Sequence, residues 1–302
     1  MNRRIALTAA AAAAGAALAA PSAAAPARAA PSRPSFIETE DGAQLFWRSW
    51  GEGPPLVFCA AWAFSSDAWQ YQMLPLSEAG FRCVAFDRRG HGRSSDVGGG
   101  YDYDRLADDL ACVMNTLDLQ AVTLVGHSMG AGEAVRYLTR HGAGRVARLV
   151  LVAPATPCPG HRPDNPDGAP PEAFAAVRAA VAKDFPGWLG GAASNGFLTA
   201  DASPQLGNWI RDLALRTSLQ AAIACNRTFT EADFRPEFPK ITLPTLILQG
   251  DADLSTPLPL TGRKTVALIH GARLDVYPGA PHGLIFTHAE RLNHDLAAFA
   301  RS

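Results

Sequence analysis

The chain has 302 residues, with 27 Lys and Arg against 28 Asp and Glu, for a formal net charge of −1. That balance excludes the broad positive field that a nucleic-acid or acidic-membrane partner requires. Five cysteines are an odd count, so at least one is unpaired within a monomer.

Residues 1–29 read as a signal peptide rather than as part of a fold. Arg3-Arg4 precede a weakly apolar, alanine-rich run from Ile5 to Ala20, and Ala27-Arg28-Ala29 offers a small-x-small cleavage site. The paired arginines and the low hydrophobicity suit the twin-arginine route. The expectation is an exported protein that begins near Ala30, with no membrane span in its mature form. About 270 residues then remain, enough for one large α/β domain with an insertion.

Along the mature chain, Phe36 to Trp50 predicts a hairpin turning at Asp41-Gly42. Leu56-Val57-Phe58-Cys59-Ala60 is a short continuous apolar run, as for a strand buried on both faces. A helix is expected over Asp67–Ala79, a strand over Arg82–Phe86 and an amphipathic helix over Tyr103–Leu117. Val122 to Val125 is again β-rich. It runs through Gly126-His127-Ser128-Met129-Gly130 into a helical stretch from Glu133, and Arg148–Ala153 is the next strand. Alternating strand and helix predict a mostly parallel, doubly wound sheet with helices on both faces.

The alternation stops at Pro154. From Ala155 to about Pro239 the chain is first Pro- and Gly-rich and then helical, over Glu172–Val181 and Leu206–Leu219. Phe185, Trp188, Leu189, Phe197, Leu198 and Trp209 concentrate here. An aromatic-rich helical insertion just after a sheet strand reads as a cap over a pocket, about 155–239. The alternation resumes with a strand over Thr245–Gly250, a helix from Pro257 to His270, a strand over Leu274–Tyr277 and a closing helix over Leu284–Ala300.

Cys59 and Cys83 fall in β-rich runs and Cys112 in a helical one, as buried apolar residues do. Cys158 and Cys225 lie in looser surroundings and could pair in an oxidising compartment. No Cys/His spacing has the form of a metal site, so neither metal nor cofactor is expected. His91 and His127 sit inside motifs but read as packing or hydrogen-bonding residues. His141, His161, His270, His288 and His294 have no partner spacing.

Strand, Gly-x-Ser-x-Gly turn and helix together make a nucleophile elbow around Ser128. A serine hydroxyl needs a base, imidazole has the right pKa, and the imidazole needs an acid to fix its tautomer. At later strand ends the sequence offers Asp251 or Asp253, and then His282. The oxyanion of an acyl-transfer intermediate needs two donors, one of them the Met129 N–H directly after the serine.

Several stretches in order carry a closer likeness. These are Leu56-Val57-Phe58 to Trp62, Asp67-Ala68-Trp69, Phe86-Asp87-Arg88-Arg89-Gly90-His91-Gly92-Arg93-Ser94, Gly126 to Gly130, and Ala280-Pro281-His282-Gly283. On them the mature chain resembles the α/β-hydrolases, and more narrowly the cofactor-free bacterial haloperoxidase/arylesterase branch. The resemblance implies Ser128 as nucleophile and His282 as base. The family's Gly-x-x-Asp-x-x-x-Pro loop, here Gly250 to Pro257, selects Asp253 as the acid and leaves Asp251 to shape the loop. It implies Trp62 and Met129 as the backbone N–H donors of an oxyanion hole. The Asp87–Ser94 run is expected to brace the sheet edge beside the site.

The chain departs from the family at two places. Ala60-Ala61 stand where His-Gly usually precedes the tryptophan, and Ala63 stands where haloperoxidase-like members often have proline. With the triad otherwise complete, Ala61 is expected to have negative φ and to leave both donors aimed near Ser128 Oγ. The expected function is a secreted serine esterase acting on a small-molecule ester. Lactone, amide or peroxide chemistry on the same triad is the alternative. A ligand-binding protein with little turnover is the alternative from another class.

Overall fold

The computed structural model describes residues 35–191 and 196–302. The proposed signal segment, residues 1–29, lies outside the described residues. Two strands, β1 (Phe36–Glu38) and β2 (Gln44–Trp50), form the antiparallel hairpin, and β2 leads it into the main sheet. The next strands, β3 (Pro55–Cys59), β4 (Arg82–Phe86), β5 (Val122–His127), β6 (Val146–Val152), β7 (Thr245–Gly250) and β8 (Arg273–Tyr277), pair in parallel. The eight-stranded order is β1-β2-β4-β3-β5-β6-β7-β8. This is the mostly parallel, doubly wound sheet that the alternation predicts. β5 lies between β3 and β6 and is buried along its whole length.

The helices are α1 (Gln70–Glu78), α2 (Tyr103–Thr116), α3 (Met129–His141), α4 (Pro171–Lys183), α5 (Phe185–Gly190), α6 (Pro204–Ala214), α7 (Leu219–Glu231), α8 (Gly262–Val266), α9 (Leu284–Thr287) and α10 (Ala289–Arg301). The two faces of the sheet feed two cores. Along β3, Leu56 and Phe58 join one with residues of α1 and α10, while Val57 and Cys59 join the other with α2 and α3. Burial on both faces is why these strands read as continuous apolar runs.

Several boundaries differ from the expectations. The segment expected as one helix over Asp67–Ala79 begins as a 3₁₀ turn, Ser66–Trp69, capped by Ser65, before α1 starts. The expected Leu206–Leu219 helix ends at Ala214. The chain then turns, and Ser218 caps α7 through the Ala221 N–H, so α7 is a helix whose start was missed. The helix expected from Pro257 to His270 shrinks to α8. In the turn before it, the Leu260 and Thr261 N–H groups both go to the Pro257 carbonyl, and Pro259 has no N–H with which to continue a helical ladder. The closing helix breaks at His288, where φ is −124°, into α9 and α10.

The pairing of Cys158 with Cys225 is also corrected. Both are buried free thiols, as are Cys59 and Cys83, and Cys112 is free and partly buried. Cys225 is enclosed in the core beside α2 and α3, where burial pushes its thiol up to about 12. Cys158 turns toward its own loop, with Sγ 3.6 Å from the Gly160 carbonyl.

Candidate active site

Ser128 sits between the end of β5 and the start of α3, with φ 55° and ψ −115°. A side chain held there stores about 1–3 kcal/mol of backbone strain, tolerated only where the surroundings fix it. They do so here. The Ser128 N–H donates to Val152 O at 2.9 Å, and its carbonyl accepts from Ala131 and Ala155. The flanking glycines serve space rather than conformational freedom. A Cβ on Gly126 would stand 2.4 Å from Gly130 O, and one on Gly130 would stand 2.4 Å from Cys59 O. Without side chains at these two positions, strand, helix and the chain after β3 close on each other.

Three side chains from separate strand ends meet at this turn. His282 Nε2 lies 2.9 Å from Ser128 Oγ, and His282 Nδ1 lies 2.8 Å from Asp253 Oδ2. The carboxylate assigns the ring hydrogen to Nδ1, leaving Nε2 to accept from the serine hydroxyl. All three residues are buried. Burial pushes the Asp253 carboxyl up, but the His282 charge and hydrogen bond, with the Thr256 N–H and hydroxyl, outweigh it and hold the carboxyl below its ordinary range. Asp251 is turned elsewhere: its Oδ1 accepts the Gly279 N–H at 2.6 Å and ties two loops together.

Thr256 belongs to this site and was not singled out from sequence. Its Oγ1 donates to Asp253 Oδ2 at 2.8 Å and lies 3.2 Å from His282 Nδ1, while Asp253 Oδ1 accepts the N–H groups of Ser255 and Thr256. The signal was available. An aspartate followed two and three residues later by serine and threonine forms a local turn in which its own carboxylate takes backbone donors.

Among the described residues, neither the Trp62 N–H nor the Met129 N–H has a protein acceptor. Met129 is the first residue of α3, where a helix leaves its N–H groups unpaired and its dipole favours negative charge. Trp62 lies in the turn Ala61-Trp62-Ala63-Phe64, closed by Phe64 N–H to Ala61 O at 3.2 Å. As expected, Ala61 is not left-handed. The left-handed residue is Ala63, with φ 61°. That is the third position of a turn which normally favours glycine, and proline, fixed near −65°, cannot occupy it.

Two glycine substitutions should therefore diverge. Ala63→Gly relieves about 1–2 kcal/mol of left-handed strain against about 0.5–1 kcal/mol of added chain entropy, a net gain in stability. Ala61→Gly has only the entropic loss and should change kcat/KM by less than about tenfold. Thermal unfolding of both variants checks this, and the reverse order of Tm would contradict it.

Two further histidines brace the site as neutral rings. His127 Nε2 lies 3.2 Å from the His282 carbonyl, so it carries the hydrogen, and its ring packs against those of His282 and Trp69. His91 Nδ1 bonds the Arg89 carbonyl at 2.9 Å. Burial, and then the charge of His282 or Arg88 respectively, lowers each from the ordinary 6.5 to about 3. Below pH 6.5 the unfolded chain takes up these protons and the folded protein does not. Stability is therefore full above 6.5 and falls toward pH 3, by up to about 1.4 kcal/mol per pH unit for each ring. His127→Gln, which keeps a donor for the His282 carbonyl, should flatten that acid limb in urea titrations. An unchanged slope would contradict the assignment.

The sheet order, the strand-end triad and the elbow define an α/β-hydrolase. The alpha/beta hydrolase fold family matches residues 54–289, and the chain belongs to it. It is 41% identical over 273 residues to a non-heme haloperoxidase of Rhodococcus erythropolis, covering 88% of this chain and 99% of that one. It is 36% identical to a bifunctional esterase/perhydrolase of Acinetobacter calcoaceticus, with the same coverage of 88% and 99%. Among solved structures it is similar to an esterase from Exiguobacterium antarcticum, with a TM-score of 0.86 and 31% identity over 89% of this chain and 99% of that one.

Proposed function

We propose that the protein is a serine hydrolase that cleaves a small carboxylic ester through an acyl-enzyme. The observation that carries this is the unbroken hydrogen-bonded chain from Ser128 Oγ through His282 to Asp253. In this reading His282 Nε2 takes the hydroxyl proton as Oγ attacks the ester carbonyl. Asp253 stabilises the imidazolium, and the Trp62 and Met129 N–H groups receive the oxyanion. The imidazolium returns its proton to the leaving alcohol. Water, deprotonated by the same ring, then releases the acid.

The helical segment between β6 and β7 acts in this reading as a cap supplying apolar walls. The Trp62 ring packs against Phe185, Trp188 and Phe229, and the Phe197 ring lies 5.7 Å from His282. Such walls favour an apolar acyl or aryl group. Relatives named for esterase activity support the choice of ester. A hydrolysis panel of p-nitrophenyl esters, lactones and amides on the mature protein tests it. Turnover of esters with little on amides is expected, and no turnover on any would return the ligand-binding alternative.

A second reading, perhydrolysis, has specific support from the haloperoxidase and esterase/perhydrolase relatives. Hydrogen peroxide would replace water as the attacker of the acyl-enzyme, giving a peracid. Hydrolysis ranks ahead because Ala63, at φ 61°, takes a conformation closed to the proline that haloperoxidase-like members often carry there.

The chain is further proposed to be exported and cleaved near Ala30. Arg3-Arg4→Lys-Lys should reduce export if the twin-arginine route is used, and an intact N-terminus on a cytosolic protein would overturn this.

A further inference from the structure

We propose that Arg88 is a positioning residue for the oxyanion hole: locked to Glu133 on the nucleophile helix, it grips the carbonyls of Ala60 and Ala61 and so fixes the direction of the Trp62 N–H. The inference rests on the serine-hydrolase reading and assigns it a residue outside the triad.

The sequence places Arg88 two residues beyond the end of β4, in the run expected to brace the sheet edge. The structure gives it a more specific task. Its side chain is 2% exposed, and that of Glu133 is 0% exposed. Arg88 Nη2 and Nε donate to Glu133 Oε2 at 2.6 and 3.1 Å. The same guanidinium then turns its remaining donors on the loop after β3, with Nη2 2.8 Å from Ala60 O and Nη1 3.4 Å from Ala61 O. Burial alone would push the guanidinium down, but the Glu133 charge outweighs it, and Arg88 stays protonated.

Glu133 lies one helical turn beyond Met129 on α3, and Met129 carries one proposed donor of the hole. The Ala61 carbonyl and the Trp62 N–H belong to one trans peptide unit and point in opposite directions. Holding the carbonyl on the Arg88 side therefore aims the N–H the other way. Arg88 thus ties the helix that supplies one donor to the loop that supplies the other. The close approach of Gly130 to Cys59 O and Ala60 O sets the same spacing from the backbone. On the far side, the Trp62 indole donates to Ala222 O of α7 at 2.7 Å. With the side chain and the preceding peptide both tethered, the Trp62 N–H has little freedom. A donor held in place before reaction is what makes an oxyanion hole effective.

Stability alone does not account for this pair. A buried ion pair is often replaceable by apolar residues of similar volume without loss of stability, whereas removing one partner strands a buried charge. That contrast shapes the test. Arg88→Met/Glu133→Leu removes both charges and keeps the volume, so the fold should survive while Ala60 O loses its guanidinium donor and Ala61 O keeps only the Phe64 N–H. The readouts are near-UV circular dichroism, KM and kcat on p-nitrophenyl acetate, and Ki for a trifluoromethyl ketone, whose serine adduct places an oxyanion in the hole.

The expected result is a native spectrum, KM within about threefold of wild type, kcat lower by about 10²-fold or more, and Ki weakened in parallel with kcat. A folded variant with kcat and Ki near wild type, or with a loss confined to KM, would overturn the proposal. If the double variant does not fold, Glu133→Gln carries the test. It keeps the shape and loosens the anchor, and it should lower kcat and raise Ki by about tenfold. Unchanged values there would overturn the proposal equally. Wild-type turnover with an unaffected variant removes the Arg88 role alone. Absence of ester turnover and of Ser128 labelling in the wild type removes the serine-hydrolase reading, and the Arg88 role falls with it.

Discussion

Ser128→Ala is expected to lower ester hydrolysis by about 10⁴-fold or more, leaving only what binding and the proposed oxyanion donors supply without a nucleophile. The size follows from the site's construction. Every other element is arranged around that one oxygen: the backbone strain at φ 55° is held by hydrogen bonds to Val152, Ala131 and Ala155, and His282 Nε2 is aimed at Oγ from 2.9 Å. Removing the hydroxyl removes the covalent route, and among the described residues no second hydroxyl or thiol is hydrogen-bonded to His282 Nε2; the Thr256 hydroxyl lies on the Nδ1 side. The alanine must still take the strained backbone, so some loss of stability is expected as well. Steady-state kinetics on purified, folded variant checks the prediction. Near-normal turnover would end the serine-hydrolase reading.

Asp253→Asn is expected to cost about 10⁴-fold in kcat, while Asp251→Asn changes it little. An amide at 253 presents a donor as readily as an acceptor to His282 Nδ1, so the ring no longer keeps its hydrogen on that nitrogen and Nε2 no longer accepts from Ser128. The local geometry favours the wrong outcome further. The Thr256 hydroxyl and the Ser255 and Thr256 N–H groups all need acceptors at this side chain, and only a carboxylate serves them together with His282. Asp251, by contrast, bonds the Gly279 N–H at the loop surface. Its loss should appear as a modest fall in Tm. A larger kcat effect at 251 than at 253 would reverse the assignment of the acid.

Much of the sheet was legible because its strands are buried on both faces. Leu56 to Cys59 is apolar without alternation, and Val122 to Val125 is β-rich and interrupted only by Thr123. Ser128, Asp253 and His282 were legible as a group because each lies in the turn or loop that follows a parallel strand. The helical boundaries were less so, for local reasons. Ser218 caps a new helix after α6, Pro259 has no N–H to carry a helix back toward Pro257, and His288 interrupts the last. Side-chain hydrogen bonds of this kind compete with helix formation and leave little trace in hydrophobic periodicity. Two features needed three-dimensional contact to appear. The strained residue of the turn after β3 is Ala63, since it depends on how the turn closes onto Phe64. The Arg88–Glu133 pair joins residues 45 positions apart, and no spacing in the sequence announces it.

Covalent labelling decides whether Ser128 is the nucleophile of an ester hydrolase. The purified protein is treated with a fluorophosphonate, residual hydrolysis of p-nitrophenyl acetate is followed in parallel, and the modified peptide is located by mass spectrometry. One phosphonyl group per chain is expected, carried on Ser128, with activity lost in proportion to labelling. Full activity after complete labelling of Ser128, or loss of activity with the label on another residue, would contradict that role.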